Sequence, residues 1–401
     1  REGITIEAQS RFKDKRSDDP AVNEYNRKEF KYNLLAPLIT ANYNIDDGMF
    51  LGGGFLATTH GFRKDPFKTR HLFLGSYAIN TSSFNFKYNG QYTQLIRQWN
   101  GEVDLDVKSP NFVNNFFGLG NESVFDKNID DNPALNLERS IDYYRLRFKQ
   151  WSLNLSLSRK VGSAGFLKLG PSLQVVELER PEANRLIKDY EATLAAPILE
   201  KTKTFAGANY SWGIDNRNNS VFTTRGMYFE QSSALMKDWT NSESGSFNAH
   251  QASLAFYQSF KFPAILTLAA RVTGGITNGD YQIYQAQILD GRTELRGFRK
   301  TRFYGDSKLV FNNEMRLKLG SIRSYILPAN IGILGFYDVG RVWYEDSNGI
   351  DPSTLSGQSS VWHKGYGGGI WLTPFNMAVV SIEAAHSVEG TLGYFRLGFL
   401  F

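Results

Sequence analysis

The chain has no cysteine and only five histidines among its 401 residues. The first absence excludes disulfides, thiol nucleophiles, iron–sulfur clusters and cysteine-ligated zinc. The second leaves little material for a metal site. His60, His71, His250, His363 and His386 are scattered without the i, i+4 spacing of a zinc helix. No Gly-x-Ser-x-Gly elbow occurs, so no catalytic residue, metal or cofactor is expected within the chain. Long hydrophobic runs are missing as well: mean hydropathy is −0.36, and no stretch approaches the roughly 18 apolar residues of a membrane helix. Charge of one sign is not concentrated either. Lys and Arg number 45 against 40 Asp and Glu, dispersed along the chain, which disfavours a nucleic-acid surface.

Aromatics and glycine are plentiful: 30 Phe, 20 Tyr, 7 Trp and 37 Gly. Period-2 alternation recurs from end to end, the signature of strands. In residues 308–319, Leu309, Phe311, Met315, Leu317 and Leu319 share a face, broken only by Asn313. Lys308, Asn312, Glu314, Arg316 and Lys318 occupy the other. Residues 265–273 set Leu266, Leu268, Ala270 and Val272 against Thr267, Ala269, Arg271 and Thr273. In residues 151–158, Trp151, Leu153, Leu155 and Leu157 alternate with Ser152, Asn154, Ser156 and Ser158. These runs reach the roughly ten residues of a tilted transmembrane strand, whereas strands of a soluble sandwich average about 5–6. An apolar face toward lipid and a wet, charged lumen is the expected arrangement.

The connections differ in length. Tight ones carry turn chemistry: Asp46-Asp47-Gly48, Gly162-Ser163-Ala164-Gly165, Lys261-Phe262-Pro263-Ala264 and Thr373-Pro374-Phe375-Asn376. Long polar ones cover residues 13–29, 109–139, 179–201, 237–246, 275–307 and 345–364. The expected fold is all-β, a sixteen-stranded antiparallel transmembrane β-barrel with short periplasmic turns and long extracellular loops, forming a single domain over residues 1–401. The strands would start near Gly3 and end at Phe401. Residues 83–108 are read as one very long strand, because two strands would put the connection at 109–139 on the wrong side. Arg1-Glu2-Gly3-Ile4-Thr5-Ile6 has neither an initiating Met nor an apolar signal core, so the N-terminus reads as processed or excised, and any periplasmic domain would precede residue 1.

The chain ends Leu392-Gly393-Tyr394-Phe395-Arg396-Leu397-Gly398-Phe399-Leu400-Phe401. By alternation, Phe395, Leu397, Phe399 and Phe401 share an apolar face. Such an ending resembles the insertion signal of bacterial outer-membrane barrels. Glu294-Leu295-Arg296-Gly297-Phe298-Arg299 resembles the Arg-Gly-Phe motif in the sixth extracellular loop of the BamA superfamily (bacterial surface antigen family), barrels that assemble or translocate proteins at the outer membrane. Phe336-Tyr337-Asp338-Val339-Gly340 is similar to that family's aromatic-x-Asp-x-Gly strand motif. Asp215-Asn216-Arg217 through Thr224-Arg225-Gly226 is similar to its periplasmic turn, with Thr224 where a proline often stands.

The resemblance implies that Arg296 bonds Asp338, with Glu314 as a second acceptor. Gly297 would allow close backbone approach, and Phe298 would pack on the barrel wall. It further implies residence in the outer membrane of a Gram-negative bacterium, against lipid and lipopolysaccharide. The implied partners are a periplasmic domain or accessory subunits and client outer-membrane proteins, with no nucleic acid. Protein assembly or translocation is the implied function.

Two alternatives stay open. Asp47-Gly48-Met49-Phe50-Leu51-Gly52-Gly53-Gly54 and Asn115-Phe116-Phe117-Gly118-Leu119-Gly120-Asn121 resemble barrels of Bacteroidota-type bacteria fused to an N-terminal calcineurin-like metallophosphoesterase, for which this chain would be the membrane anchor. A passive pore is the other, suggested by Arg271, Glu314, Arg316 and Lys318 on lumen faces. Gly52-Gly53-Gly54 and Gly367-Gly368-Gly369 lack the Lys-Ser/Thr of a phosphate loop and read as barrel-wall glycines. The aromatic island at residues 114–121 reads either as a partner surface or as a loop tucked over the barrel mouth.

Overall fold

The computed structural model describes residues 31–401 apart from 45–47, 62–63, 80–81, 179–183, 192–201, 241–244, 262–263, 326, 345–360 and 376–377. The expected first strand at residues 3–11 and the connection at 13–29 lie outside the described residues. So do parts of the turns at Asp46-Asp47-Gly48, Lys261-Phe262-Pro263-Ala264 and Thr373-Pro374-Phe375-Asn376, and parts of the long connections at 179–201, 237–246 and 345–364.

Alternation of apolar and polar side chains translates directly into strands. They are β1 (Leu34–Asn44), β2 (Gly48–Gly61), β3 (Lys64–Ala78), β4 (Ser83–Ile96), β5 (Trp99–Asn115), β6 (Arg145–Val161), β7 (Gly165–Leu178), β8 (Lys203–Asp215) and β9 (Gly226–Asp238). Then come β10 (Ser246–Lys261), β11 (Ile265–Gly279), the short pair β12 (Gln287–Leu289) and β13 (Phe303–Gly305), β14 (Ser307–Ile322), β15 (Ala329–Trp343), β16 (His363–Pro374), β17 (Val380–Ser387) and β18 (Gly390–Leu397). Among the described residues one antiparallel sheet holds sixteen of these in chain order, with β12 and β13 forming a separate two-stranded ribbon. The edge strands β1 and β18 come within 8 Å of each other, Cα to Cα, yet among the described residues no ladder joins them.

The two faces of the sheet differ as the alternation requires. Met315, Ile370 and Ile382 are 57%, 56% and 57% exposed, while Glu314, Trp371 and Glu383 beside them are buried. A sheet that exposes its apolar side chains and buries its charged ones faces lipid outward. Gly52-Gly53-Gly54 and Gly367-Gly368-Gly369 lie inside β2 and β16, in wall positions.

Residues 83–108 are not one strand. Gln94 and Arg97 take positive φ (50° and 55°), and the Asn100 side-chain oxygen accepts the Gln94 N–H at 2.8 Å, so the chain reverses into β4 and β5. With β1 as the first described strand, this hairpin puts the connection after β5 on the same rim as the other long ones. That connection begins only at Phe116, because β5 runs to Asn115. Asn44 and Gly48, the facing ends of β1 and β2, lie on that rim too, so closely spaced strand ends are not confined to the opposite one.

The C-terminal alternation also breaks. Gly398, at φ +119°, ends β18. Phe395 and Leu397 stay on the outward face, while Phe399 swings inward against Trp371 and Phe222, and Phe401 against Tyr257. The four aromatic and apolar residues therefore do not share one face.

An arginine at the centre of an outward strand face lacks lipid solvation, so Ile370→Arg should destabilise the protein by about 2–4 kcal/mol. Urea unfolding in phospholipid vesicles measures this. A shift below about 0.5 kcal/mol would show that β16 does not face lipid.

Candidate site around Arg296

The connection from β11 to β14 carries Arg296 onto the inner face of the sheet, where the side chain is fully buried. Its Nε donates to Asp338 Oδ2 at 2.7 Å and its Nη2 to Asp338 Oδ1 at 3.0 Å, a bidentate pair. The backbone N–H of Arg296 adds a third bond to Asp338 Oδ2, at 3.2 Å. Nη1 reaches Glu314 Oε2 at 2.8 Å and Glu383 Oε2 at 3.3 Å. The guanidinium carbon sits 3.5 Å from the ring centroid of Phe336, a cation–π contact in a dry site. Burial lowers the basicity of Arg296, but Asp338, Glu314 and Glu383 more than reverse this, and the group stays charged.

The carboxylates are themselves supported. Arg316 Nε donates to Glu314 Oε1 at 2.6 Å, and Arg396 Nε lies 3.4 Å from Glu383 Oε2. Asn312 Nδ2 donates to Asp338 Oδ1 at 2.9 Å and to the Glu294 carbonyl at 2.5 Å. The Arg316 guanidinium lies 3.8 Å from the Phe399 ring centroid, and its Nη2 donates to the Phe401 carbonyl at 2.8 Å. Arg271 donates twice to Asn312 Oδ1, at 3.1 and 2.8 Å, and stands 4.9 Å from the Phe401 ring.

Gly297 adopts φ +94°, which few side-chain-bearing residues accept. Its N–H donates to Tyr394 Oη at 2.9 Å and its carbonyl accepts from Ser387 Oγ at 2.6 Å. Gly365 makes room from the wall: a Cβ there would stand 1.7 Å from the Arg296 carbonyl oxygen. Phe298 is buried with Leu289, Leu295, Phe303, Val310 and Val342, between the connection and strands β14 and β15. Gly340 pairs with Val310 across those two strands.

The aromatic island folds inward. Phe116 meets the Tyr304 ring edge-on at 5.4 Å, Gly120 N–H donates to the Tyr304 carbonyl at 2.7 Å, and Asn121 bonds both the N–H and the carbonyl of Val342. Arg302 ties the two connections to the last hairpin through Ser123 and Glu389. Of the two readings of this island, packing over the barrel mouth is the one the contacts favour.

At the opposite rim, Asp215 and Arg217 form a bidentate pair at 2.9 and 2.8 Å. Asn218 Oδ1 accepts the N–H groups of Thr224 and Arg225, and Gly226 closes the turn at φ +118°. Sequence reasoning brought Arg296, Asp338, Glu314, Gly297 and Phe298 together but missed Glu383, Asn312, Ser387 and Tyr394. Glu383 had a readable signal, a charge between outward Ile382 and Ala384.

A large antiparallel sheet with an apolar outer face and a polar inner one defines an outer-membrane β-barrel of the Gram-negative type. The Omp85 superfamily domain model matches residues 74–387, and the chain belongs to that superfamily. Its fold is similar to that of BamA from Haemophilus ducreyi lacking POTRA domains 1–3, at 14% identity and a TM-score of 0.62, covering 92% of this chain and 70% of that one. It is also similar to CdiB from Acinetobacter baumannii (12% identity, TM-score 0.54, 91% and 59% covered) and CdiB from Escherichia coli (13%, 0.59, 90% and 62%). The chain thus spans less than two thirds of either CdiB. Comparison with curated protein sequences returns no match.

Removing the cation from a buried cluster leaves carboxylates unpaired at a cost of about 3–5 kcal/mol. Arg296→Ala should therefore free the connection, and Arg296→Lys should not restore it, because an ammonium cannot serve Asp338 bidentately. Limited proteolysis at residues 280–306 of the protein in detergent reads this out. Parent-like protection in Arg296→Lys would reduce the role of Arg296 to that of a point charge.

Proposed function

We propose that this chain is a single barrel domain that takes part in the assembly or translocation of proteins at the outer membrane, with the β11–β14 connection held in its lumen by Arg296. Membership in the Omp85 superfamily supports the reading. The observation that carries it is the pair of edge strands, β1 and β18, which lie side by side with no ladder between them among the described residues. Backbone left unpaired on adjacent edges is a template on which an incoming strand can form hydrogen bonds by β-augmentation. Gly297 bonds Tyr394 of β18 and Ser387 of β17, which supports a held loop beside this seam. Phe395 and Leu397 serve as the lipid-facing part of the C-terminal signal, and Phe399 and Phe401 brace the site from within. The barrel itself is a non-catalytic element on this reading, acting with client proteins and with a periplasmic domain or accessory subunits.

The passive-pore alternative weakens because two of its three proposed lumen cations are engaged: Arg316 by Glu314 and Arg271 by Asn312. The metallophosphoesterase anchor remains an alternative that rests on sequence resemblance alone.

The 401 residues contain no cysteine, so a pair introduced into β1 and β18 forms one defined disulfide within them. Locking the strands together should abolish client assembly in reconstituted vesicles, and reduction should restore it. Full activity in the oxidised form would rule out passage through the seam.

A further inference from the structure

Between the β11–β14 connection and the edge strands lies a cavity of about 840 Å³. Thr40 and Ala41 of β1, Lys87 of β4, Lys108 of β5 and residues 392–397 of β18 contribute to its wall. Its charge is one-sided. Lys87, Lys108, Arg292, Arg299, Lys300 and Arg396 line it, against a single lining carboxylate, Asp290; behind the wall Asp106 pairs with Lys108 and Glu383 stands 3.4 Å from Arg396. Asp290 is already committed, accepting the N–H groups of Arg292 and Thr293 through Oδ1 and of Thr301 through Oδ2.

Arg396 donates Nη1 to the Arg292 carbonyl at 2.5 Å, while its buried Nη2 has no hydrogen-bond partner among the described residues. Lys87 and Arg292 have no carboxylate partner among the described residues. Cations gathered on low-dielectric walls raise a strong positive potential in the space between them, and a buried donor left unpaired is costly. An anion entering the cavity removes both penalties.

The size and the position narrow the choice of anion. Such a volume falls in the range of small-molecule sites and far exceeds that of one inorganic phosphate. Phe395 and Leu397 contribute to the cavity wall and also stand on the outward face of β18. The chamber therefore borders the edge strand whose outer face carries Phe395 and Leu397.

We propose that this chamber binds a phosphate-bearing headgroup admitted at the β1–β18 edge, with Lys87, Arg292 and Arg396 as its cationic contacts and the acyl chains left in the bilayer. Guanidinium groups suit this role because they meet phosphate oxygens bidentately.

The test is native mass spectrometry of the purified full chain in detergent, titrated separately with bisphosphorylated lipid A, dephosphorylated lipid A and inorganic phosphate. The parent should retain bisphosphorylated lipid A at least about tenfold more tightly than the dephosphorylated form, and Lys87→Glu with Arg292→Glu should abolish that preference. Both substitutions lie at side chains without ion pairs among the described residues, and heat-modifiable gel mobility verifies that the variant is folded. Competition by inorganic phosphate at matching concentration would overturn the lipid assignment and leave a small-anion site. Equal retention of bisphosphorylated lipid A by the parent and the folded double variant would overturn the proposal altogether.

Discussion

A guanidinium withdrawn completely from water is tolerable only where its surroundings supply compensating charge, and the inner face of this sheet is arranged around that requirement. Arg296, Arg316 and Arg396 meet Glu314, Asp338 and Glu383 in a branched chain of contacts. Three cations and three carboxylates balance, so the cluster is neutral as a whole although none of its members is. Each residue removed would leave a net charge where the dielectric constant is low, and the members therefore stand or fall together. The strands that supply them, β14, β15, β17 and β18, are held in one relative register by the same contacts.

The rest of the interior is fitted to this centre. On the outward side, Phe298 and its apolar neighbours seal the connection to the wall, and the aromatic island from residue 116 covers it. On the periplasmic side, Trp371, Phe399 and Phe222 close an apolar layer beneath Arg316. Both layers keep water from the ion pairs, which strengthens each of them.

Much of this was legible in the sequence because strand alternation is a local property. Residues 308–319 announced their two faces, and Arg296, Asp338 and Glu314 stood in recognisable motifs. What escaped notice depends on contacts between distant residues or on backbone angles that composition does not reveal. The β4–β5 reversal uses positive φ at Gln94 and Arg97, neither of them a usual turn residue, and the turn-forming pair nearby, Asn100-Gly101, stands inside β5 rather than at the reversal itself. Phe399 and Phe401 continue the period of two on paper. Gly398 interrupts it, and the inward turn is stabilised by Arg316 and Arg271, which no reading of the last ten residues contains. Glu383 belongs to a short strand whose charge looked incidental until its partner was placed.

The positions of the carboxylates also order the events of folding. Arg296 precedes Glu314, Asp338 and Glu383 in the chain, and every anion it needs comes from a strand formed by later sequence. Once β14 and β15 have formed, Arg296 and Arg316 already balance Glu314 and Asp338, and the later strands β17 and β18 add Glu383 and Arg396 as a second matched pair. The connection can therefore be seated in two steps, each of them neutral.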